Sequence, residues 1–372
     1  MVDKLIDIIC RLKIPKVILR YIMMNFLDIT SINNLLLTVK EMNVLDDYSK
    51  DILVKAGQGF YQNCQQGHLT VVKWLYSHSL DNINVNAFNE CAFRLACQNG
   101  HLSVAQWLYG LEMVRPHPTC TSMIRYSLGK INVHVDGEYA FRFSCKNGHL
   151  SVAQWLYSLG EGINIHARDD DAFQSACGEG YLAVAQWLYA LGDIDIHGQS
   201  ECAFRLACAN GHLIVAQWLY SLGQVDIHVL SESPFHRSCR NGHLTVAKWL
   251  LGLGTSCSHP TCPSGTRYSL GDVDIHAGEE CAFRLCCENG HLPVAKWLYD
   301  LGDVDIHADN EYAFRLCCAN GHPTVAKWLY SLGDVDIHAD NDYAFRLSNH
   351  STDNHLIVVL WLYSLVKDKK PI

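Results

Sequence analysis

Apolar and polar positions along the chain follow two alternating rhythms. In Ala203-Phe204-Arg205-Leu206-Ala207-Cys208, the spacing of Phe204, Ala207 and Cys208 puts one apolar stripe on a short helix. Gly211 follows where a helix-ending glycine in left-handed conformation belongs. A second helix is predicted through Val215, Ala216, Trp218, Leu219 and Tyr220, stopping at Gly223. The stretch Val225-Asp226-Ile227-His228 then alternates as a short strand would, before the next first helix. Neither helix is long enough to be stable alone. Stacked neighbours must bury the apolar faces, so the elements form a cooperative array.

That block recurs. All nine tryptophans, Trp74, Trp107, Trp155, Trp187, Trp218, Trp249, Trp297, Trp328 and Trp361, occupy the same place in it. Their successive gaps are 33, 48, 32, 31, 31, 48, 31 and 33 residues, a period near 31 with two long exceptions. The unit is clearest from Asp303 to Gly333. The pattern predicts an all-α helical solenoid of about nine short repeats joined by short hairpin links. The tryptophan row is expected to stack from unit to unit as a structural framework.

Helix, Gly-His, helix, Gly, hairpin is an order that resembles the ankyrin repeat. Gly100-His101-Leu102-Ser103-Val104-Ala105 and Gly242-His243-Leu244-Thr245-Val246-Ala247 carry the resemblance, and Ser233-Pro234-Phe235-His236 stands where that family has Thr-Pro-Leu-His. Elsewhere this box is altered, as in Cys202-Ala203-Phe204-Arg205, and the hairpin is about two residues shorter. The compressed form, with Asp-Ile-His-Ala-Asp-Asn-Glu-Tyr-Ala links, is similar to ankyrin arrays encoded by large DNA viruses of amoebae. The resemblance implies a non-enzymatic scaffold that binds partner proteins through hairpin tips and first helices on a concave side.

At 372 residues the chain exceeds one ordinary compact core, which a solenoid accommodates by growing along one axis. Apolar residues make up 49% and charged residues 18%, enough for a packed interior. The net charge of −9 argues against nucleic acid as the main partner. No stretch approaches eighteen uncharged apolar residues, and residues 1 to 10 do not read as a signal peptide. With seventeen cysteines, this points to a reducing, cytoplasmic setting (the host's cytoplasm for a viral protein) and no membrane. A monomer is expected.

The histidines and cysteines follow the repeat. Eight histidines, from His68 and His101 to His322 and His355, follow the repeat glycine or its counterpart. Seven more, His134, His166, His197, His228, His276, His307 and His338, end the link. A catalytic histidine occurs once per site, so both sets read as structural, bonding backbone between units. Eight cysteines share one slot on the first helix, where they act as small core residues. Equivalent positions a repeat apart, about 8–10 Å, are too distant for a disulfide ladder. The chain holds no single, non-repeated set of polar residues, so no catalytic, cofactor-binding or metal-binding residue is assigned.

Two inserts, near 111–129 and 252–271, cause the long gaps. His117-Pro118-Thr119-Cys120 and His259-Pro260-Thr261-Cys262 lie 142 residues apart, the mark of a duplicated block of about four repeats. Neither copy supplies four zinc ligands, so both read as loops. The array spans 56–366, with a short basic tail at 367–372. Residues 1–55 differ: their first fifty lack tryptophan and glycine and read as helices over Leu5 to Cys10, Val17 to Phe26 and Ile32 to Leu45. They form either a cap for the array or a functional module. Ile14-Pro15, Leu19, Ile22, Phe26-Leu27-Asp28, Ile32, Val39-Lys40 and Asn43-Val44-Leu45 are similar to an F-box, though Met42 stands where that family has Trp. That resemblance implies docking of residues 14–45 on the linker protein of a cullin-based ubiquitin ligase, with the array as substrate receptor.

The tips supply the candidate binding residues. Asp136, Glu138, Asp169, Asp170, Glu279, Glu280, Asp309, Glu311, Asp340 and Asp342 are expected to form a row of carboxylates along one edge. Arg94, Arg142, Arg205, Arg284, Arg315 and Arg346 recur on the first helices and are read as neutralising adjacent acids within the stack. A residual negative stripe would favour a basic or mixed protein surface.

Overall fold

The computed structural model describes residues 58–78, 83, 85–111, 131–254, 273–347 and 353–368. The N-terminal segment with residues 14–45, nearly all of both inserts and the last residues of the basic tail lie outside these. The described residues form nine helix pairs and no strand. They divide into two compact units, Met1–Ala172 and Phe173–Ile372, with the boundary inside helix Ala167–Gly178.

The first unit contains the pairs Gln58–Gln66 with Leu69–His78, Ala87–Gln98 with Leu102–Tyr109, and Val135–Lys146 with Leu150–Ser158. The second contains, among others, Gly198–Ala209 with Leu213–Ser221, Val229–Arg240 with Leu244–Gly254, and Ala308–Ala319 with Pro323–Leu332. Each is a helical hairpin of two to three turns per arm, and in each unit first helices pack on first helices. Each unit has the all-α fold of an ankyrin-type solenoid.

Within each unit the core is built from the first-helix phenylalanine. Phe93 and Phe141 in the first unit, and Phe173, Phe204, Phe235, Phe283 and Phe314 in the second, are essentially solvent-free. Full burial of such a ring contributes about 2–3 kcal/mol, and alanines and cysteines on the same stripe let the helices approach closely. The slot cysteines Cys64, Cys97, Cys145, Cys177, Cys208, Cys239, Cys287 and Cys318 are buried and carry free thiols.

The tryptophans are placed differently from the expected stack of indoles. Each described ring is half-buried, and most pack against one or two aromatics of the preceding repeat. Trp155 meets Phe93 at 6.2 Å and Tyr109 edge-on at 5.8 Å. In the second unit Trp218 meets Phe173 and Tyr189, Trp249 meets Phe204 and Tyr220, and Trp328 meets Phe283 and Tyr299. Trp297 lies on Phe235, Trp361 on Phe314 and Tyr330, and Trp107 on Tyr76. Edge-to-face contacts suit the ring quadrupole better than a column of parallel indoles. Trp187 is likewise half-buried, and the Trp74 side chain falls outside the described atoms.

The alternation in Val225-Asp226-Ile227-His228 has a cause other than a strand. Val225 and Ile227 point into the core, at 5% and 1% exposure, while the backbone runs as an unpaired turn. The Asp226 N–H donates to a glutamate side chain of the preceding repeat, so no strand partner is needed.

The turn inside each repeat is fixed by close contact between neighbours. Gly211 has φ +81°, and a β-carbon there would sit 2.5 Å from Nδ1 of His243 in the next repeat. The same geometry recurs at Gly67 with His101, Gly100 with His149, Gly242 with His291 and Gly290 with His322. The other imidazole nitrogen reaches a backbone oxygen of the preceding repeat, as in His101 Nε2 to Gln65 O at 2.8 Å and His355 Nε2 to Ala319 O at 3.0 Å.

Candidate interaction surface

Each tip between repeats is a left-handed turn. Three consecutive residues have positive φ, as in Asp309, Asn310 and Glu311 at 54°, 54° and 62°. The same triplet occurs at 88–90, 136–138, 168–170, 199–201, 230–232, 278–280 and 340–342. Left-handed backbone costs a non-glycine residue roughly 1–2 kcal/mol, so each tip needs compensating contacts.

The third residue supplies them, and it is always acidic. Glu138, Glu201, Glu232, Glu280 and Glu311 are 6–8% exposed, and each accepts from the Nδ1 of a histidine four residues earlier at 2.6–2.8 Å. The same oxygen accepts a backbone N–H from the next link: Asn164 to Glu138, Asp226 to Glu201, Asp305 to Glu280 and Asp336 to Glu311. One carboxylate oxygen therefore holds its own turn and ties it to the following repeat. Asp170 with His166 and Asp342 with His338 repeat the side-chain pair with the shorter acid. In the first tip Glu90 takes the role with Asn86 in the histidine position, and burial pushes its pKa up.

The link histidines therefore bond a carboxylate rather than backbone. Glu138, Glu280 and Glu311 are framework, not an exposed edge. The sequence signal for this was present as histidine followed by acid at i+4 in seven links.

Of the remaining predicted acids, Asp136, Asp309 and Asp340 are exposed and pair with arginines, while Asp170 is half-buried on His166 and Asp342 exposed on His338. Arg94 reaches Asp136 at 2.9 Å, Arg315 reaches Asp340 at 2.6 Å, Arg284 pairs with Asp309 and Arg142 with Asp171. In each pair the guanidinium Nη1 of one repeat meets the acid of the next. The arginine is braced from its own tip, as Arg315 Nε donates to Asn310 O at 2.7 Å and Nη2 to Asp309 O at 3.0 Å. A tyrosine of the next repeat lies under three guanidinium planes: Tyr139 under Arg94, Tyr312 under Arg284 and Tyr343 under Arg315, at 4.6, 4.8 and 5.1 Å. This is the neutralisation expected of the arginine row. Asp169 and Glu279 are exposed at the middle positions of their tips.

The first and second positions of every described tip are solvent-exposed, and two carry large apolar side chains: Phe88 at 78% and Leu230 at 61% exposure. Among the described residues no group of three or more histidine, cysteine or acidic side chains is disposed to hold a metal ion. No described helix is long and apolar enough to cross a membrane.

Two family models match the chain: ankyrin repeats (3 copies) over residues 175–261, and ankyrin repeats (many copies) over residues 62–108. No curated protein matches it. The matched segments are ankyrin repeats, and such repeats indicate a protein–protein interaction scaffold.

Proposed function

We propose that this scaffold binds partner proteins through the first two positions of its tips and the first-helix residues beside them. One observation carries the reading. These positions are exposed and share one left-handed turn in every described tip, yet the eight tips carry seven different pairs: Phe88-Asn89, Asp136-Gly137, Arg168-Asp169, Gln199-Ser200, Leu230-Ser231, Gly278-Glu279, and Asp-Asn at both Asp309-Asn310 and Asp340-Asn341. The framework beneath them stays nearly constant. Pre-set backbone with varied side chains lowers the ordering cost of binding while allowing specificity. Exposed acids and the net charge of −9 favour a partner with a basic or mixed surface.

Affinity capture with mass spectrometry on the full chain tests this, in parallel with a variant carrying Phe88→Ser, Asp169→Asn, Leu230→Ser and Glu279→Gln. The variant should fold with an unchanged melting temperature and lose the parent's partner. Equal capture by both proteins would remove the tips from recognition.

A second reading draws on the F-box-like sequence of residues 14–45, in which the array presents its bound protein to a cullin-based ubiquitin ligase. Pull-down of the ligase's linker protein by the full chain, lost on deletion of residues 1–50, is the outcome this reading requires.

A further inference from the structure

The arginine row contains one member whose anchoring is complete and whose acid is missing. Arg205 Nε donates to Ser200 O at 2.7 Å, and its Nη2 donates to Gln199 O at 3.0 Å. These are the two bonds and the two distances that hold Arg315. In Arg315 the third arm, Nη1, meets Asp340, and the guanidinium face lies over Tyr343. At the corresponding positions after Arg205 the chain has Leu230 in place of the aspartate and Ser233 in place of the tyrosine. Neither can accept the ion pair or cover the cationic plane as those residues do.

The other breaks in the row are of a different kind. At two described tips that lack an acid at the first position, the helix position beforehand has lost its arginine as well: Gln174 precedes Gln199, and His236 precedes Gly278. Arg142 precedes Arg168 but finds Asp171 instead. Among the described pairs of first helix and following tip, only Arg205 keeps the arginine without any acid of the next repeat. A guanidinium already aimed by two backbone carbonyls loses little further freedom on taking a carboxylate, and it does so with charge-assisted geometry.

We propose that Arg205 is a preformed carboxylate-binding site for a partner protein. It takes an Asp or Glu side chain into the place that Asp340 occupies beside Arg315, with an aliphatic or aromatic neighbour of that acid resting on exposed Leu230. The proposal rests on the reading of the tips as the binding surface and names its anchor. Arginine is among the residues enriched at the energetic centres of protein interfaces.

The test uses the full chain and a displayed random dodecapeptide library as the probe. Peptides enriched on the parent should carry an acidic residue next to an apolar one. Individually synthesised, they should lose at least tenfold in affinity on Arg205→Gln. Leu230→Asp should reproduce that loss by a different route, since it closes the missing pair inside the protein and leaves the fold intact or stabilised. Arg205→Lys keeps the charge but not the fork, and should recover only part of the binding. Lys327→Gln, at an exposed cation on a second helix away from the tips, should bind the peptides like the parent.

Enriched peptides without an acid, or peptides whose affinity survives both Arg205→Gln and Leu230→Asp, overturn the proposal. If those peptides are instead lost on substituting other tip residues, the tip surface still stands as the binding face and only its anchor is wrong. Peptides that are indifferent to every tip substitution remove both.

Discussion

Two of the left-handed turns in each repeat, the one between its helices and the tip that joins it to its neighbour, tolerate sequence in opposite ways. The turn inside the repeat carries glycine at Gly67, Gly100, Gly148, Gly180, Gly211, Gly242, Gly290 and Gly321, with φ between 72° and 82°. The turn between repeats uses three left-handed residues, mostly not glycine. The difference lies in what stands opposite. At Gly211 the imidazole of His243 fills the space a side chain would need. At the tips the first two side chains point to solvent, and the third contributes the carboxylate that holds the turn. At these two turns the left-handed helical conformation alone does not demand glycine; that conformation together with a side chain standing where the β-carbon would go does. The closed turn is thereby frozen in sequence, and the open turn is free to acquire binding residues.

The largest effect expected from breaking this arrangement is at the closed turn. Gly211→Ala combines left-handed strain with a clash against His243 and should destabilise by about 2–5 kcal/mol. Denaturant unfolding of the full chain measures it, and a loss below about 1 kcal/mol would mean that the ring moves aside freely.

Next is the aromatic wedge that joins repeats. Trp218→Ala removes contacts to Phe173 and Tyr189, but the ring is half-buried. A loss of about 2–3 kcal/mol is expected, below the figure for a fully enclosed tryptophan. The same unfolding experiment reads it.

The open turn should respond at its third position and not at its second. Glu311→Gln weakens the contacts to His307 and the Asp336 N–H and places an amide where the unpartnered second oxygen was buried. About 1–2 kcal/mol should be lost. Asn310→Gly, one residue earlier, relieves strain while loosening the unfolded chain, and the two nearly cancel to within about 1 kcal/mol. Equal effects at the two positions would erase the distinction between framework and display.

Acid should act on the closed turn. Burial, first of all, lowers the pKa of His149, His243, His291 and His322, and imidazoles of neighbouring repeats lower three of them further. A histidine with a depressed folded value binds fewer protons than in the unfolded chain. Its contribution is complete above about pH 6.5 and is lost as pH falls below that value. Melting temperature should therefore drop between pH 7 and pH 5, and the drop should shrink in His243→Gln. An unchanged slope in that variant would assign the acid sensitivity to other groups.

Much of this was legible in the chain before any coordinates. Nine tryptophans at a fixed period, the glycine before each second helix and the buried cysteine slot all report local helical geometry repeated many times. Helix periodicity and glycine punctuation depend on near neighbours in sequence, so they survive as pattern. The alternation in Val225-Asp226-Ile227-His228 was equally visible but misread as a strand, since period two records only which side chains point inward. Of the ten acids expected on the binding edge, Glu138, Glu280 and Glu311 proved to be buried framework because exposure depends on the turn's handedness.

The sequence by itself determined the number, length and order of the repeats, because stacking identical units needs only a stripe of small and apolar residues recurring in register. Tertiary structure alone decided which acids tie their turn to the next repeat and which face solvent. It also decided that Trp wedges between Phe and Tyr, and that Arg205 stands braced without its carboxylate. Each of these is a relation between residues about 25 to 60 positions apart, brought together only when one repeat lies on the next.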